Sequence, residues 1–391
     1  MDRRSFAGAA LAGGVSLAMT AHVRAEMVPP SGWLNVREFG AKGDGRSLDT
    51  EAIQRAIDAA AKTKDTVFFP PGMYLSAELR LRPNVALVGV PTWDYRGTGG
   101  TVVRLADERP TCLMNITNAW GVTIDGLALD GQHLGKGIHG VFLNKPDYGA
   151  QEDTFRIERC QVMRFTGDGV NLTRAWCFSI RHSMLAYNYG DGLRLQGWDG
   201  FIMDNWLSCN SGAGFGARLE NASVTMTANR IEWNHEGVLI RGGNGYNITG
   251  NFFDGAGTSA IELLDLGGTP CSQMTITGNY LRTSGQKADP SKHESSHLRI
   301  EGAEGITCVG NALLSGTYRE FKLSGVVDDL YPKVQVRAPS YGIVYKKLRN
   351  CVIANNVLHK GASKELLVDL GDHGDDVIVR DNPGCLVTTN T

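Results

Sequence analysis

The chain is poor in the residues that mark several protein classes. Only 13 of its 391 residues are proline, which sets aside collagen and proline-rich linkers. Neither sign of charge dominates: 39 Lys and Arg stand against 41 Asp and Glu, a formal charge of −2. A dedicated nucleic-acid binder carries a basic excess or stripe, so no nucleic-acid partner is expected. The eight cysteines include no Cys-x-x-Cys pair and no zinc-like spacing. Several lie in apolar runs such as Trp176-Cys177-Phe178 and read as small buried hydrophobes. No phosphate-binding loop or histidine cluster appears, so no cofactor and no metal are expected from the residues alone.

Glycine is what the chain has in excess: 49 residues, about one in eight, against a usual ~7%. No Gly-X-Y period runs through it, and Val, Ile, Leu and Phe recur throughout, so disorder does not explain the excess. The composition therefore implies a β-rich fold with a turn every few residues.

Residues 1–25 read as a leader. Asp2-Arg3-Arg4-Ser5-Phe6 is a twin-arginine pattern, a mildly apolar stretch over residues 7–21 follows, and Val23-Arg24-Ala25 is a small-x-Ala cleavage site before Glu26. The apolar stretch is shorter than the ~18 residues of a membrane span. The expectation is a periplasmic or secreted protein with no stable membrane insertion after cleavage. No linker divides the remainder, so residues 26–391 read as one domain, with 26–110 as an N-terminal cap and first coils. Residues 33–39 look like a strand, residues 40–45 like a turn, and Asp49 or Thr50 like the N-cap of a helix over residues 51–62. Ala52, Ile53, Ala56, Ile57 and Ala60 share one face of that helix.

From about residue 115 the chain repeats. Ile180-Arg181-His182, Met203-Asp204-Asn205, Thr227-Ala228-Asn229, Thr249-Gly250-Asn251, Thr277-Gly278-Asn279 and Val309-Gly310-Asn311 line up at intervals of roughly 22 to 32 residues, with Asn356 and Asn382 beyond. The 45 residues from Asn311 to Asn356 allow two coils, or one with a long insertion. Each unit carries a second short strand with period-two alternation, as in Gly192-Leu193-Arg194-Leu195. A ~22-residue repeat of short strands and glycine turns lacks the leucine-rich-repeat consensus and fits a parallel β-helix, in which like residues stack in columns. The asparagines form one such column, an expected ladder of amide bonds, with His182 as its first member. The N-terminal helix would cover the open end of the stack.

Asn35-Val36-Arg37-Glu38-Phe39-Gly40-Ala41-Lys42-Gly43-Asp44-Gly45, followed by Asp49-Thr50-Glu51-Ala52-Ile53, resembles the opening of the pectate-lyase superfamily, which includes polygalacturonase-like hydrolases and phage tailspikes. The resemblance implies an all-β, single-stranded right-handed parallel β-helix, a solenoid with an N-terminal capping helix. It is specific for fold and not for function, since hydrolases, lyases, epimerases and adhesins share this opening. The polygalacturonase motifs are mostly missing: there is no Asn-Thr-Asp and no Gly-His-Gly, and Arg156-Ile157-Glu158 breaks the Arg-Ile-Lys motif. Gly374-Asp375-Asp376 falls on the final coil, away from any expected cleft. Gly167-Asp168-Gly169 resembles the coil of the Gly-Asp-Asp motif, and Asn234-His235-Glu236 puts Glu236 where the family's histidine would be.

Registering the coils on the second strand gives a column of Asp168, Asp191, Phe215, Glu236 and Ser259. The outward positions beside it read Asn171, Arg194, Arg218, Leu239, Glu262 and Arg299. Acids beside arginines on an exposed face suit cleavage of a sugar chain, with one carboxyl as acid, another as base or nucleophile, and guanidinium groups holding the substrate. The expected catalytic set is Asp168, Asp191 and Glu236, and the expected substrate-binding set is Arg194, Arg218, His235, Glu262 and Arg299. Adjacent coils place Asp168 and Asp191 roughly 5 Å apart, and Asp191 and Glu236 roughly 9.5 Å apart. Gly-Asp-Gly is also ordinary turn chemistry. Asp130, Lys136 and His139 lie in an irregular stretch that reads as a cleft wall or only a loop. Tyr331, Tyr341 and Trp233 are candidates for stacking on sugars. The first expectation is therefore a glycoside hydrolase acting on a poly- or oligosaccharide. Alternatives are a lyase or epimerase of uronic acids, for which Ca²⁺ is conceivable, and a non-catalytic carbohydrate-binding surface protein.

Overall fold

In the computed structural model the structure describes residues 32–94, 97–285, 288–315, 319–321, 334–336 and 338–384. The leader (residues 1–25), Tyr331 and Cys385 lie outside them.

Period-two alternation closes the chain into coils. Inward positions such as Val170, Leu172, Leu193, Leu195, Val238 and Ile240 are buried in one continuous core, so each short strand sheds apolar surface on one face only. Consecutive coils stack in parallel register, and Val170, Leu193, Phe215, Val238, Ile261, Leu298 and Ile343 are successive partners up the stack. One sheet of 20 strands wraps two sides of the coil, and a 12-stranded sheet forms the remaining side. Long strands, among them Val170–Arg181, Leu193–Met203 and Phe215–Thr227, turn the corner between the two sides, with register shifts at Thr173/Ala175 and Leu195/Gly197.

Two asparagine ladders stitch the coils. In the expected one, Asn205, Asn229, Asn251, Asn279, Asn311 and Asn356 each pass an amide hydrogen to the next side-chain carbonyl at 2.8–3.1 Å, ending on Asn382. His182 is not its first member. Ser183 is, since its N–H donates to Asn205 and its hydroxyl accepts the Cys160 N–H. His182 pairs one position earlier, 3.6 Å from Asp204, so the spacing-based alignment is one residue out there. A second ladder, Asn188–Asn210–Asn234, was not anticipated. It explains a column of glycines: a Cβ on Gly169, Gly192 or Gly214 would lie 2.7–2.8 Å from an asparagine amide and from the next coil's carbonyl. Asn311 and Asn356 are direct neighbours, so the 45 residues between them are one coil with a long insertion.

At the open end the helix Thr50–Thr63 buries Ala52, Ile53, Ala56, Ile57 and Ala60 against the first strands. Asp49 stands at its N-cap, but its carboxylate accepts the Lys42 and Gly43 N–H groups and pins the preceding turn instead. The expected strand over residues 33–39 shortens to Leu34–Asn35. The Asn35 side chain accepts the Arg37 N–H and starts a 3₁₀ turn, Val36–Phe39, which Gly40 ends at φ 100°. Six described cysteines (112, 160, 209, 271, 308 and 351) are buried, as expected of small core residues, whereas Cys177 is only half-buried; burial raises the thiols of Cys112, Cys160, Cys271, Cys308 and Cys351.

Candidate active site

The outward positions of the strands beginning at His139, Val170, Leu193, Phe215, Val238, Ile261 and Ser296 make one polar face, three columns wide. The edge column reads His139, Asp168, Asp191, Ala213, Glu236 and Ser259 up the stack. The middle column reads Phe142, Asn171, Arg194, Gly216, Leu239, Glu262 and Arg299. Two sequence assignments change. Phe215 is fully buried and pairs with Leu193, so Ala213 holds its expected place. Arg218 lies two residues beyond the middle column, where Gly216 stands. Gly214 and Gly216 both fit a glycine-based register, and hydrogen bonding selects Gly214, whose carbonyl accepts the Leu193 N–H.

Gly216 makes the Arg218 position possible, because a Cβ there would occupy the place of the Arg218 guanidinium and the Asp191 carboxylate. Both Arg218 terminal nitrogens reach back to Asp191, Nη2 at 3.0 Å from Oδ1. Asp191 Oδ1 also accepts the Ala213 N–H at 2.8 Å, and the residue is 4% exposed. Asp168, 5% exposed, divides its oxygens: Oδ1 accepts the Asp191 N–H at 2.7 Å, and Oδ2 accepts the Asn171 amide at 2.6 Å. Each aspartate therefore spends one oxygen on the next coil's turn and turns the other toward the face. Burial raises the Asp168 pKa, and repulsion from Asp191 adds to it, while His139 and Asn171 pull against both.

His139 completes this centre. Its Nδ1 accepts the Asp168 N–H at 2.9 Å, and its ring stacks on Phe142 at 5.4 Å. The Asp168 carboxylate is farther from Nδ1, at 3.4 Å, so the shorter bond sets the tautomer and leaves the proton on Nε2. Burial lowers the His139 pKa and favours the neutral ring. Sequence reasoning left His139 in a loop, because the irregular stretch before it hides its register; a 29-residue step to Asp168 was the available signal. Arg194 stands beside Asn171 in the middle column, exposed, and engages no ion pair among the described residues.

A second centre lies two to three coils up the stack, a cavity of about 360 Å³ lined by His235, Glu236, Leu239, Glu262, Glu294 and Arg299 among others. Burial raises the Glu236 pKa, and His235 Nε2 lies 3.9 Å from its carboxylate. Arg299 bonds Glu301 at 2.7 Å and stands 4.0 Å from Glu262 and 3.9 Å from Glu294. The structure thus groups His235, Glu236, Glu262 and Arg299, and separately groups Asp168, Asp191, Arg194 and Arg218. The other candidates fall elsewhere. Asp130 is fully buried between Arg104 and Arg164, Trp233 packs beside the buried Met163 and Met184, and Gly374-Asp375-Asp376 sits on the last coil. Among the described residues no three His, Cys, Asp or Glu side chains are grouped to hold an ion, and Arg299 already serves the acids of the cavity.

Residues 33–99 match the family described as rhamnogalacturonase A/epimerase, pectate lyase-like, and residues 168–325 match the right-handed β-helix region. Alginate lyase 7 of Azotobacter vinelandii is 33% identical over 205 residues, which cover 46% of this chain and 22% of that protein. The chain therefore spans about a fifth of that relative's length. Among solved structures, the A-module of the Azotobacter vinelandii mannuronan C-5 epimerase AlgE6 superposes at a TM-score of 0.59 with 20% identity, covering 89% of this chain and 98% of that one. DFA-IIIase of Arthrobacter chlorophenolicus, without its lid, superposes at 0.60 with 15% identity, covering 90% and 92%. At these identities the structural likeness speaks for the fold.

Proposed function

We propose that this chain, a right-handed parallel β-helix of the pectate-lyase superfamily, is a carbohydrate-active enzyme that abstracts the C5 proton of a uronic acid unit, as a lyase or an epimerase does. The observation that carries the reading is Arg194, an exposed guanidinium without an ion-pair partner among the described residues, set beside Asn171, whose amide bonds the buried Asp168 carboxyl of raised pKa. A proton α to a carboxylate leaves more readily when a cation offsets the charge that builds on that carboxylate. Arg194 would supply the cation. Asp168 would take the proton, and its raised pKa makes it a stronger base. The neutral His139 would offer its Nε2–H to the developing charge. Asp191, held by Arg218, would stand behind Asp168 as a fixed negative charge that favours proton uptake. The carbanion then either expels the 4-oxygen, which takes a proton from Asp168 or water and leaves a C4–C5 double bond, or takes a proton from water on the opposite face, leaving the C5 epimer. Relatives named as an alginate lyase and mannuronan C5-epimerases are compatible with either outcome.

Glycoside hydrolysis by Asp168, Asp191 and Glu236 is less well supported. Asp191 is engaged by Arg218, and three coil steps put Glu236 roughly 14 Å from Asp168, beyond the carboxyl spacing of either glycosidase class. The leader at Arg3-Arg4 would place the activity in the periplasm or outside the cell. A panel of uronate polysaccharides with product analysis tests the reading: ultraviolet-absorbing unsaturated ends mark a lyase, and inverted C5 centres without chain cleavage mark an epimerase. New saturated reducing ends in place of both refute it in favour of a hydrolase.

A further inference from the structure

Resting on that reading, we infer that the cavity up the stack is a subsite for an uncharged sugar unit, so that the substrate alternates uronate with a carboxylate-free hexose. The cavity is lined mostly by polar side chains, with Leu239 and Leu264, buried in a small cluster with Ala213, contributing only a minor apolar part of its surface. A lining of this kind suits the hydroxyls of a sugar ring.

That lining selects against carboxylates. Five of the lining side chains are Asp or Glu and two are Arg, a formal balance of −3 with His235 neutral. Arg299 is not free to receive an anion, since it bonds Glu301 and lies between Glu262 and Glu294. Glu262 is 5% exposed. Its Oε1 accepts the Ser259 N–H at 3.4 Å, while its Oε2 has Arg299 no nearer than 4.0 Å. That oxygen therefore lacks a hydrogen-bond donor among the described residues, and a hydroxyl from a bound hexose would supply one. A uronate carboxylate would instead meet like charge in a partly desolvated pocket. The Arg194 centre has the opposite preference. Arg194 and Glu262 share a column three coil steps apart, roughly 14 Å, so one chain lying along the face reaches both.

The test compares two oligosaccharides of equal length, one all uronate and one alternating uronate with an uncharged hexose. Loss or solvent exchange of the C5 proton is the readout. The alternating chain is expected to show kcat/KM higher on the order of tenfold. Glu262→Gln narrows that ratio by improving the all-uronate chain. Glu294→Gln, at the rim, does the same if the buried variant fails to fold. Equal or better turnover of the all-uronate chain overturns the subsite, as does a ratio that neither variant moves, and both leave C5 chemistry standing. Inertness of both chains at C5 overturns the proposed function itself.

Discussion

Replacing Asp168 by Asn separates catalysis from folding at one atom. The amide oxygen can still accept the Asp191 N–H that Oδ1 accepts at 2.7 Å, and the Asn171 amide can rotate to accept where it now donates at 2.6 Å. Both hydrogen bonds survive, and what disappears is a buried charge that burial and Asp191 disfavour. Two carboxylates one coil apart, roughly 5 Å, repel by about 3 kcal/mol at an effective dielectric of ~20. Loss of the charge assistance in the hydrogen bonds from the Asn171 amide and the Asp191 N–H returns part of this, so the variant should be about 1 kcal/mol more stable than the parent at neutral pH. The sign with pH follows from the raised pKa. Between the unfolded and folded values the native state binds the extra proton, so the parent loses stability as pH rises through that interval. The gain of Asp168→Asn should therefore be absent at pH values below the ordinary carboxylate range and grow upward. Urea unfolding at several pH values measures it, and turnover should fall about 10²- to 10⁴-fold. A variant that is destabilised by about 1 kcal/mol or more at neutral pH, yet still active, would refute the assignment and make Asp168 a turn residue.

Arg194→Ala should lower kcat/KM on uronate substrates by roughly 10- to 100-fold, the worth of one charge-assisted hydrogen bond, with the melting temperature unchanged because the side chain is exposed. Steady-state kinetics and a thermal melt check both parts. Asn251→Ala should cost about 3 kcal/mol by urea titration. It removes the acceptor of the Asn229 N–H and amide, and the donor to the Met226 carbonyl, all inside the core.

The fold was legible in the sequence because a β-helix writes its geometry as a period: alternating strands, a recurring asparagine and a capping helix with one apolar face. The site was legible in part. Asp168, Asp191 and Glu236 do share a column, since their spacings follow whole coils. Arg218 and Phe215 were misplaced because Gly214 and Gly216 fit the glycine rule equally well, and only the Leu193 hydrogen bond to Gly214 decides between them. His139 was missed for a different reason. Its coil carries a long irregular step before Asp168, and a period cannot be counted across an insertion. The Asn188–Asn210–Asn234 ladder has only three members, too few to stand out beside the seven-membered one.

Deuterium entry at C5 is the most direct measurement. A uronate-containing oligosaccharide incubated with the enzyme in D₂O should carry deuterium at C5 of epimerised units, or lose the C5 hydrogen with an unsaturated end, and Asp168→Asn should abolish both. Chain cleavage that leaves every C5 hydrogen in place would contradict the account.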